Sequence, residues 1–587
     1  MGIRDEAQIY YFRHFLIFNL FFGALLAIFA LVKVRYQSTG MGLLAVLFLV
    51  LSPRIASEAF YNDKDIVFMS LGAIATFTLI RFIRAPGVKT AIWHALASAV
   101  AIDIRIMGIL FVAAALCVMV VRMLKKEVPV STTVFSLVFY AALTASLVVL
   151  FWPWLWTNPW QHFLEALANM SAFRHAPNMN FLGKTVNASA LPWYYIPVWI
   201  GVTTPILYLG LFLVGMAGII YHLVRARARL YSNLDDLQDA IALGLILLPI
   251  AAVIVLNSTL YNGYRHVYFL YPSLILVAIH GIYLLGLATQ PYRQLHRFLI
   301  AGVSIALLFT SVWMVRWHPY QFLYFNALAG NWNQNFEADY WGMAYRAPLE
   351  KIASQGTEET YSIFSHTENW NGWQLPYIWN LMLMPRELRE RIITDRTEPC
   401  SDYLITNEKK YQQHANSPQY SVLDRLIVDN RLVYATLMRP NALYKKYQDP
   451  LLQTIDFSNP ETRCFLKKGW SAHHESFGVW SEGKQAQLQL LIPKRPIHEL
   501  VMELRAFIPP GGMPQPLTLT VNGALTKQVV FSFERNTVRI MLNPALIQKS
   551  EHLTIDFLIP KAISPKAVGL SADDRELGIG IISIRFE

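Results

Sequence analysis

Five charged residues fall within one short stretch, Ser52-Pro-Arg-Ile-Ala-Ser-Glu-Ala-Phe-Tyr-Asn-Asp-Lys-Asp65, set between two long apolar runs. Arg54, Glu58, Asp63, Lys64 and Asp65 are costly in such a place unless they pair, meet water or do chemistry. A lysine flanked by carboxylates offers a cation for a leaving anion and a base for a proton. Asp65 is the acid with the strongest claim, either as the base or as the group that orients Lys64. Its structural alternative is an ion pair with Lys64 or Arg54. Glu58 lies about one helical turn earlier and is a second candidate base. Three further charged or polar clusters stand at the ends of apolar runs. Asp103-Ile-Arg-Ile-Met-Gly108 sets an acid beside a base, and Asp103 is expected to pair with Arg105. Tyr261-Asn-Gly-Tyr-Arg-His-Val-Tyr offers Arg265 and His266, and Trp317-His-Pro-Tyr320 offers His318 and Tyr320. Each reads otherwise as an interfacial anchor or a helix-to-helix ion pair.

The elements that must position these residues are membrane helices. The chain has 587 residues, of which 54% are hydrophobic and only 15% charged, against about 25% charged in soluble domains. Ten apolar runs approach the length of a span, roughly 14–32, 41–57, 66–82, 90–103, 106–121, 132–151, 203–222, 238–256, 271–288 and 298–316. The fourth and fifth are short and closely joined, as a re-entrant pair would be. The connections alternate in charge. One set holds Lys33, Arg35, Arg81, Arg84, Lys89, Arg122, Lys125, Lys126, Arg225, Arg227, Arg229, Arg293 and Arg297; the other holds Lys64, Arg105, Arg174, Lys184 and Arg265. The positive-inside rule puts the first set in the cytoplasm. Residues 62–65, 103–105, 152–202, 257–270 and everything after 316 then lie outside, all four chemical clusters with them. The first span runs from outside to inside in this topology, which predicts a further span upstream of Met1.

The outer loop 152–202 is aromatic and proline-broken at Phe-Trp-Pro-Trp-Leu-Trp-Thr-Asn-Pro-Trp160, and residues 161–173 have helical periodicity. It reads as an interfacial belt, or as a wall for a lipid tail or sugar. Beyond 317, mixed short strands and helices over 318–445 predict a small α/β domain, and 446–464 a linker. Strong alternation over 465–587 predicts an antiparallel β-sandwich. Cys400 and Cys464 are able to form a disulfide if this half is extracytoplasmic, and Cys117 reads as a buried hydrophobe. The net charge of +11 is assigned to orientation and lipid head groups, because no nucleic-acid motif accompanies it. No metal-ligand cluster is visible. A divalent metal is possible but not indicated, and no cofactor is expected.

The 52–65 stretch, with Arg13-His14 before it, resembles bacterial membrane glycosyltransferases related to glycosyltransferase family 39, of the GT-C superfamily. Tyr261-Asn-Gly-Tyr-Arg-His, His318-Pro-Tyr-Gln-Phe-Leu-Tyr-Phe-Asn326 and Asp339-Tyr-Trp-Gly342 are similar to further motifs of that group. Gly469-Trp-Ser471, Trp480-Ser-Glu-Gly483 and the 564–571 segment resemble a β-sandwich appended to some cell-envelope enzymes. The resemblance implies a polytopic α-helical membrane protein, GT-C-like, with a C-terminal extracytoplasmic α/β domain and a β-sandwich. It implies a polyprenyl-phosphate sugar donor, a glycan, lipid or protein acceptor, and a site on the outer face of the inner membrane. Lys64 and Asp65 become the expected catalytic pair, Arg105, Arg265 and His266 the donor-phosphate ligands, and Glu58, Asp63, Asp103, His318 and Tyr320 possible additions. Two other classes compete: a flippase for lipid-linked glycans, and a non-catalytic glycan-binding subunit of envelope assembly. A flippase predicts inverted repeats and charges at mid-depth, whereas no repeat is visible and the charges gather at one face.

Overall fold

A computed structural model of the chain describes residues 6–171, 176–227, 230–355, 361–365, 375–394, 401–407, 411–412, 420–438, 454–492, 496–532, 534–543 and 552–587. Contacts divide it into two compact units. The first comprises Met1–Glu350, Thr367–Pro385 and Leu426–Tyr434; the second Lys351–His366, Arg386–Arg425 and Ala435–Glu587.

The first unit is built on α1 (Glu6–Tyr36), α2 (Thr39–Val50), α3 (Pro53–Glu58), α4 (Asp65–Arg84), α5 (Val88–Ile104), α6 (Ile109–Leu124), α7 (Val130–Phe151), α8 (Pro159–Ser171), α9 (Tyr195–Thr203), α10 (Ile206–Ala226), α11 (Leu234–Val255), α12 (Tyr271–Thr289) and α13 (Arg293–Arg316). A small hairpin, β1 (Asn178–Phe181) and β2 (Lys184–Asn187), sits between α8 and α9. Among the described residues eight helices are long and apolar enough to cross a membrane: α1, α4, α6, α7, α10, α11, α12 and α13. The chain is therefore a multi-pass membrane protein.

Ten spans were expected, and the difference lies in two of the runs. Run 41–57 is not one helix. Pro53 has no N–H and restricts Ser52 to extended backbone (φ −95°, ψ 95°), so α2 stops after 12 residues and α3 starts afresh on the proline. The backbone groups freed by the break are covered. Tyr208 Oη donates to the Leu51 carbonyl at 3.3 Å, and Ser52 Oγ, which accepts from Tyr271 Oη at 2.9 Å, donates to the Phe48 carbonyl at 2.8 Å. Run 90–103 is α5, whose 17 residues reach about 25 Å at 1.5 Å each, short of the roughly 30 Å hydrocarbon core.

The bundle packs closely where side chains vanish. A Cβ on Gly215 of α10 would lie 2.0 Å from the Val277 carbonyl oxygen of α12, and one on Gly281 of α12 2.0 Å from that of Leu211. Small residues of this kind let membrane helices approach backbone to backbone. At the end of the bundle expected to face the cytoplasm, charges pair between helices. Arg35 of α1 meets Asp239 of α11 at 2.6 Å, and Arg84 of α4 meets Asp235 of α11.

The second unit holds β3 (Tyr361–Ser365), which pairs in parallel with β4 (Ile392–Thr394) and β5 (Tyr403–Asn407). Strands β6 (Ser421–Val428) and β7 (Arg431–Met438), whose residues are divided between the two units, complete this sheet and are joined by Asp429 and Asn430 at positive φ. The remaining strands are β8 (Thr454–Asp456), β9 (Val479–Glu482), β10 (Gln485–Leu491), β11 (Glu499–Ala506), β12 (Gln515–Val521), β13 (Leu525–Phe531), β14 (Arg535–Met541), β15 (His552–Leu558) and β16 (Leu577–Phe586). They form two antiparallel sheets, ordered β10-β15-β12-β13 and β14-β11-β16-β8, with β9 on β16. Leu488, Leu519, Ile555 and Phe557 of the first sheet share one core with Leu500, Met502, Ile540, Ile581 and Ile584 of the second. This is the expected β-sandwich. Cys464 is disulfide-bonded; Cys400 and residues 446–453 of the expected linker lie outside the described residues. The rest of that expected linker belongs to the sandwich instead, since β8 pairs with β16 and Ile455 and Phe457 enter its core.

Candidate functional site

The start of α4 is set by Asn62, whose Oδ1 accepts from the backbone N–H groups of Asp65 (2.8 Å) and Lys64 (3.3 Å). This Asx turn is a common device for launching a helix. It buries Asp65, the first residue of α4, with its side chain 0% exposed, and leaves Asp63 and Lys64 facing out. The Asp65 carboxylate takes Arg105 on Oδ1 and Arg265 on Oδ2, the latter at 2.8 Å. Arg105 comes from the turn between α5 and α6, and Arg265 from the irregular turn before α12. Three helix ends therefore meet at one carboxylate, forming a clasp. Among the described residues, both guanidiniums keep an Nε–H that is buried without a partner, as is His266 Nδ1. Tyr261 and Tyr340 place their rings on Arg265, each centroid 5.2 Å from Cζ. One carboxylate does not neutralise two guanidiniums, so the cluster keeps an excess positive charge with donors to spare.

Asn62 also ties this clasp to a second acid. Its Nδ2 donates to Glu58 Oε2 at 2.5 Å and to Asp65 Oδ2 at 3.2 Å, while Tyr268 Oη donates to Glu58 Oε1 at 2.5 Å. Glu58 is 0% exposed. Burial pushes its carboxyl up to about 7, against the two hydrogen bonds, which favour the charged form. Arg54, one turn back, is buried in an aromatic cage, with its Cζ 4.5 Å from the Phe322 ring, 4.8 Å from Phe325 and 5.6 Å from Trp199. Its Nε and Nη2 are buried without partners.

The segment from 336 to 345 supplies a third acid. Asp339 accepts from the backbone N–H groups of Met343 and Ala344, each at 2.9 Å, closing a tight turn. Burial pushes its carboxyl up to about 6, opposed by those backbone donors and by Arg54. Next along, Tyr340 covers Arg265, and Trp341 meets the Tyr61 ring edge-on at 5.4 Å.

The structure thus brings Asp65, Arg105 and Arg265 together, with His266 beside them, but it rearranges the expected pairs. Asp65 was expected to hold Lys64 or Arg54 and holds neither; the two arginines satisfy both its oxygens. Asp103 was expected to pair with Arg105, whose carboxylate partner is Asp65 instead. Lys64 is exposed, and Asp63 pairs with Arg13 at 3.1 Å, both about 42% exposed. His318 is exposed and hydrogen-bonds Gln321, and Tyr320 is half-buried. Asn62, Tyr340 and the Arg54 cage were missed as site components. Asn62 carried the usual Asx signal directly before the helix, while Tyr340 and the cage depend on contacts between residues far apart along the chain. Among the described residues no three His, Cys, Asp or Glu side chains come together as a metal set.

No family model and no curated protein matches the chain. Among solved structures it is similar to ArnT from Cupriavidus metallidurans bound to undecaprenyl phosphate, at 15% identity over 72% of this chain and 83% of that one, with a TM-score of 0.33. It is also similar to the arabinofuranosyltransferase AftD from Mycobacteria, at 11% identity over 96% of this chain and 53% of that one, with a TM-score of 0.28. A family 35 carbohydrate binding module from Clostridium thermocellum aligns at 14% identity with 23% of this chain and 98% of its own, with a TM-score of 0.16. At identities and scores this low, these likenesses carry no argument about the chemistry of this chain.

Proposed function

We propose that the protein is an integral membrane glycosyltransferase that moves a sugar from a polyprenyl-phosphate donor to a cell-envelope acceptor. The reaction takes place on the outer face of the inner membrane. The observation that carries this reading is the Asp65 clasp: Arg105 and Arg265, held side by side at helix ends, each keep a buried, unpartnered Nε–H. Such a pair suits a phosphate, because planar guanidiniums match its oxygens and retain a fixed direction. Asp65 acts as the positioning group, since its own oxygens are taken. Lys64 adds an exposed cation at the rim, and His266 a further ring nitrogen.

Glycosyl transfer from a lipid phosphate leaves a second negative charge on the departing phosphate. Fixed cations stabilise that charge as it grows, and they need no reorganisation to do so. The basic-residue asymmetry supports an outside location for this end of the bundle, and the resemblance at residues 52–65, 261–266 and 339–342 favours the same donor class.

The test is transfer of label from radiolabelled polyprenyl-phosphate sugars to envelope fractions, with polyprenyl-phosphate binding measured in parallel. Arg265→Ala and Arg105→Ala are expected to weaken polyprenyl-phosphate binding at least tenfold while the protein still elutes as a folded species. Unchanged binding in both variants would overturn the phosphate assignment.

A further inference from the structure

The transfer needs a base for the acceptor hydroxyl, and the acids expected to serve are engaged. Asp65 has both oxygens on guanidiniums and a side chain 0% exposed. Glu58 is wholly buried, with Tyr268 on one oxygen and Asn62 on the other. Asp63 faces solvent and holds Arg13. Asp339 differs from all three. It is only partly buried, and its carboxylate takes the backbone N–H groups of Met343 and Ala344, with that of Gly342 beside them. A carboxylate has about four lone-pair sites, so it keeps room to accept a further proton donor. The turn holds the group without an ion pair.

Its neighbours give the location. Tyr340, the next residue, lies on Arg265 of the clasp, so Asp339 sits one residue from a side chain in contact with the proposed phosphate site. Trp341 packs on Tyr61 and keeps its indole N–H buried without a partner. Tyr61 in turn feels both Glu58 and Asp339, which together with burial hold its hydroxyl well above the usual range. The charged and titratable groups that act on Asp339 are Arg54 and Tyr61; Glu58 lies on the far side of Tyr61, and Glu337 and Arg265 act on the neighbouring Tyr340.

We infer that Asp339 is the general base that takes the proton from the acceptor hydroxyl, an assignment that rests on the glycosyltransferase reading above. In the step, the acceptor O–H bond breaks and its proton goes to an Asp339 oxygen. The freed oxygen pair forms the new bond to the anomeric carbon. The bond from that carbon to the phosphate oxygen breaks, and its pair leaves with polyprenyl phosphate onto Arg105 and Arg265. Asp339 then returns the proton to water. A carboxyl titrating near 6 is ionised at neutral pH and basic enough to serve.

Purified full-length protein is assayed with labelled polyprenyl-phosphate mannose, glucose and arabinose in parallel, with envelope fractions as acceptor and polyprenyl phosphate as the binding probe. Asp339→Asn keeps the size and one turn hydrogen bond. It is expected to lower transfer by about 10²–10⁴, to bind polyprenyl phosphate within about twofold of the parent, and to lose the parent's rise in rate through about pH 6. Glu337→Gln is expected to keep that rise. Asp339→Asn with parental transfer and an unchanged profile would overturn the assignment, as would equal loss of phosphate binding, which would mark a merely structural turn. Failure of the parent itself to bind polyprenyl phosphate or release label would instead bring down the functional reading.

Discussion

Asp65→Asn tests the clasp most directly. The substitution keeps volume and shape but removes the single negative charge facing two guanidiniums. Breaking a buried pair from one side costs about 3–5 kcal/mol, because the remaining charge is left uncompensated. Here two charges remain, but Arg105 and Arg265 keep 22% and 12% of their side chains exposed, so water recovers part of the loss. A net cost of about 3 kcal/mol follows, or a fall in melting midpoint of roughly 2–4 °C for a chain of this length. Heating detergent-solubilised protein and following the monodisperse fraction by size exclusion measures it. The double variant Asp65→Asn/Arg265→Gln is expected to melt above the additive value, because one stranded cation has gone with its partner. Polyprenyl phosphate is expected to raise the midpoint of Asp65→Asn more than that of the parent, its anion replacing the lost carboxylate. A midpoint for Asp65→Asn within about 1 °C of the parent would refute the clasp as a structural unit.

Glu58→Gln probes the second acid. A carboxyl raised from 4.5 to about 7 in the fold favours the protonated form, so its stabilisation is complete below about 4.5 and is lost as pH rises through about 7. The parent should therefore melt lower at pH 8 than at pH 5 by an amount on the order of 3 kcal/mol, and Glu58→Gln should flatten that difference; parallel curves would refute it. Lys64→Ala leaves an exposed position, so its melting should match the parent, while polyprenyl-phosphate affinity falls several-fold and loses part of its salt dependence in a binding titration. Gly215→Ala drives a methyl into the Val277 carbonyl, whereas a Cβ on Gly210 meets nothing within 4 Å. The first should cost at least about 2 kcal/mol or abolish folded yield, and Gly210→Ala should not.

Much of this architecture could be read from local signals. Apolar runs of span length, the alternation of basic residues and the period-two pattern beyond 465 each report a property of neighbouring residues. Where the reading failed, the deciding partner lay far along the chain. Asp65 was assigned to Lys64 because the two are adjacent, yet a residue that starts a helix points away from the one before it. Its real partners lie 40 and 200 residues on. The lost span was legible in principle, since Ser52-Pro53 is a helix stop; hydropathy carried the run across it. Asp339 stood in a recognised motif, but its exposure and its neighbour's place on Arg265 appear only in three dimensions.

The spacing of the clasp along the chain also bears on how the protein is made. Arg105 follows Asp65 closely, but Arg265 emerges only 200 residues after the carboxylate, roughly 10–40 s later at ordinary synthesis rates of ~5–20 residues per second. For that interval the early helices hold a carboxylate with one of its two cations, and the outer end of α12 has yet to arrive. A nascent chain arrested before residue 265 thus holds Asp65 balanced in charge by Arg105 alone, with Oδ2 lacking its guanidinium, the state in which an insertase or membrane quality-control protease would meet it.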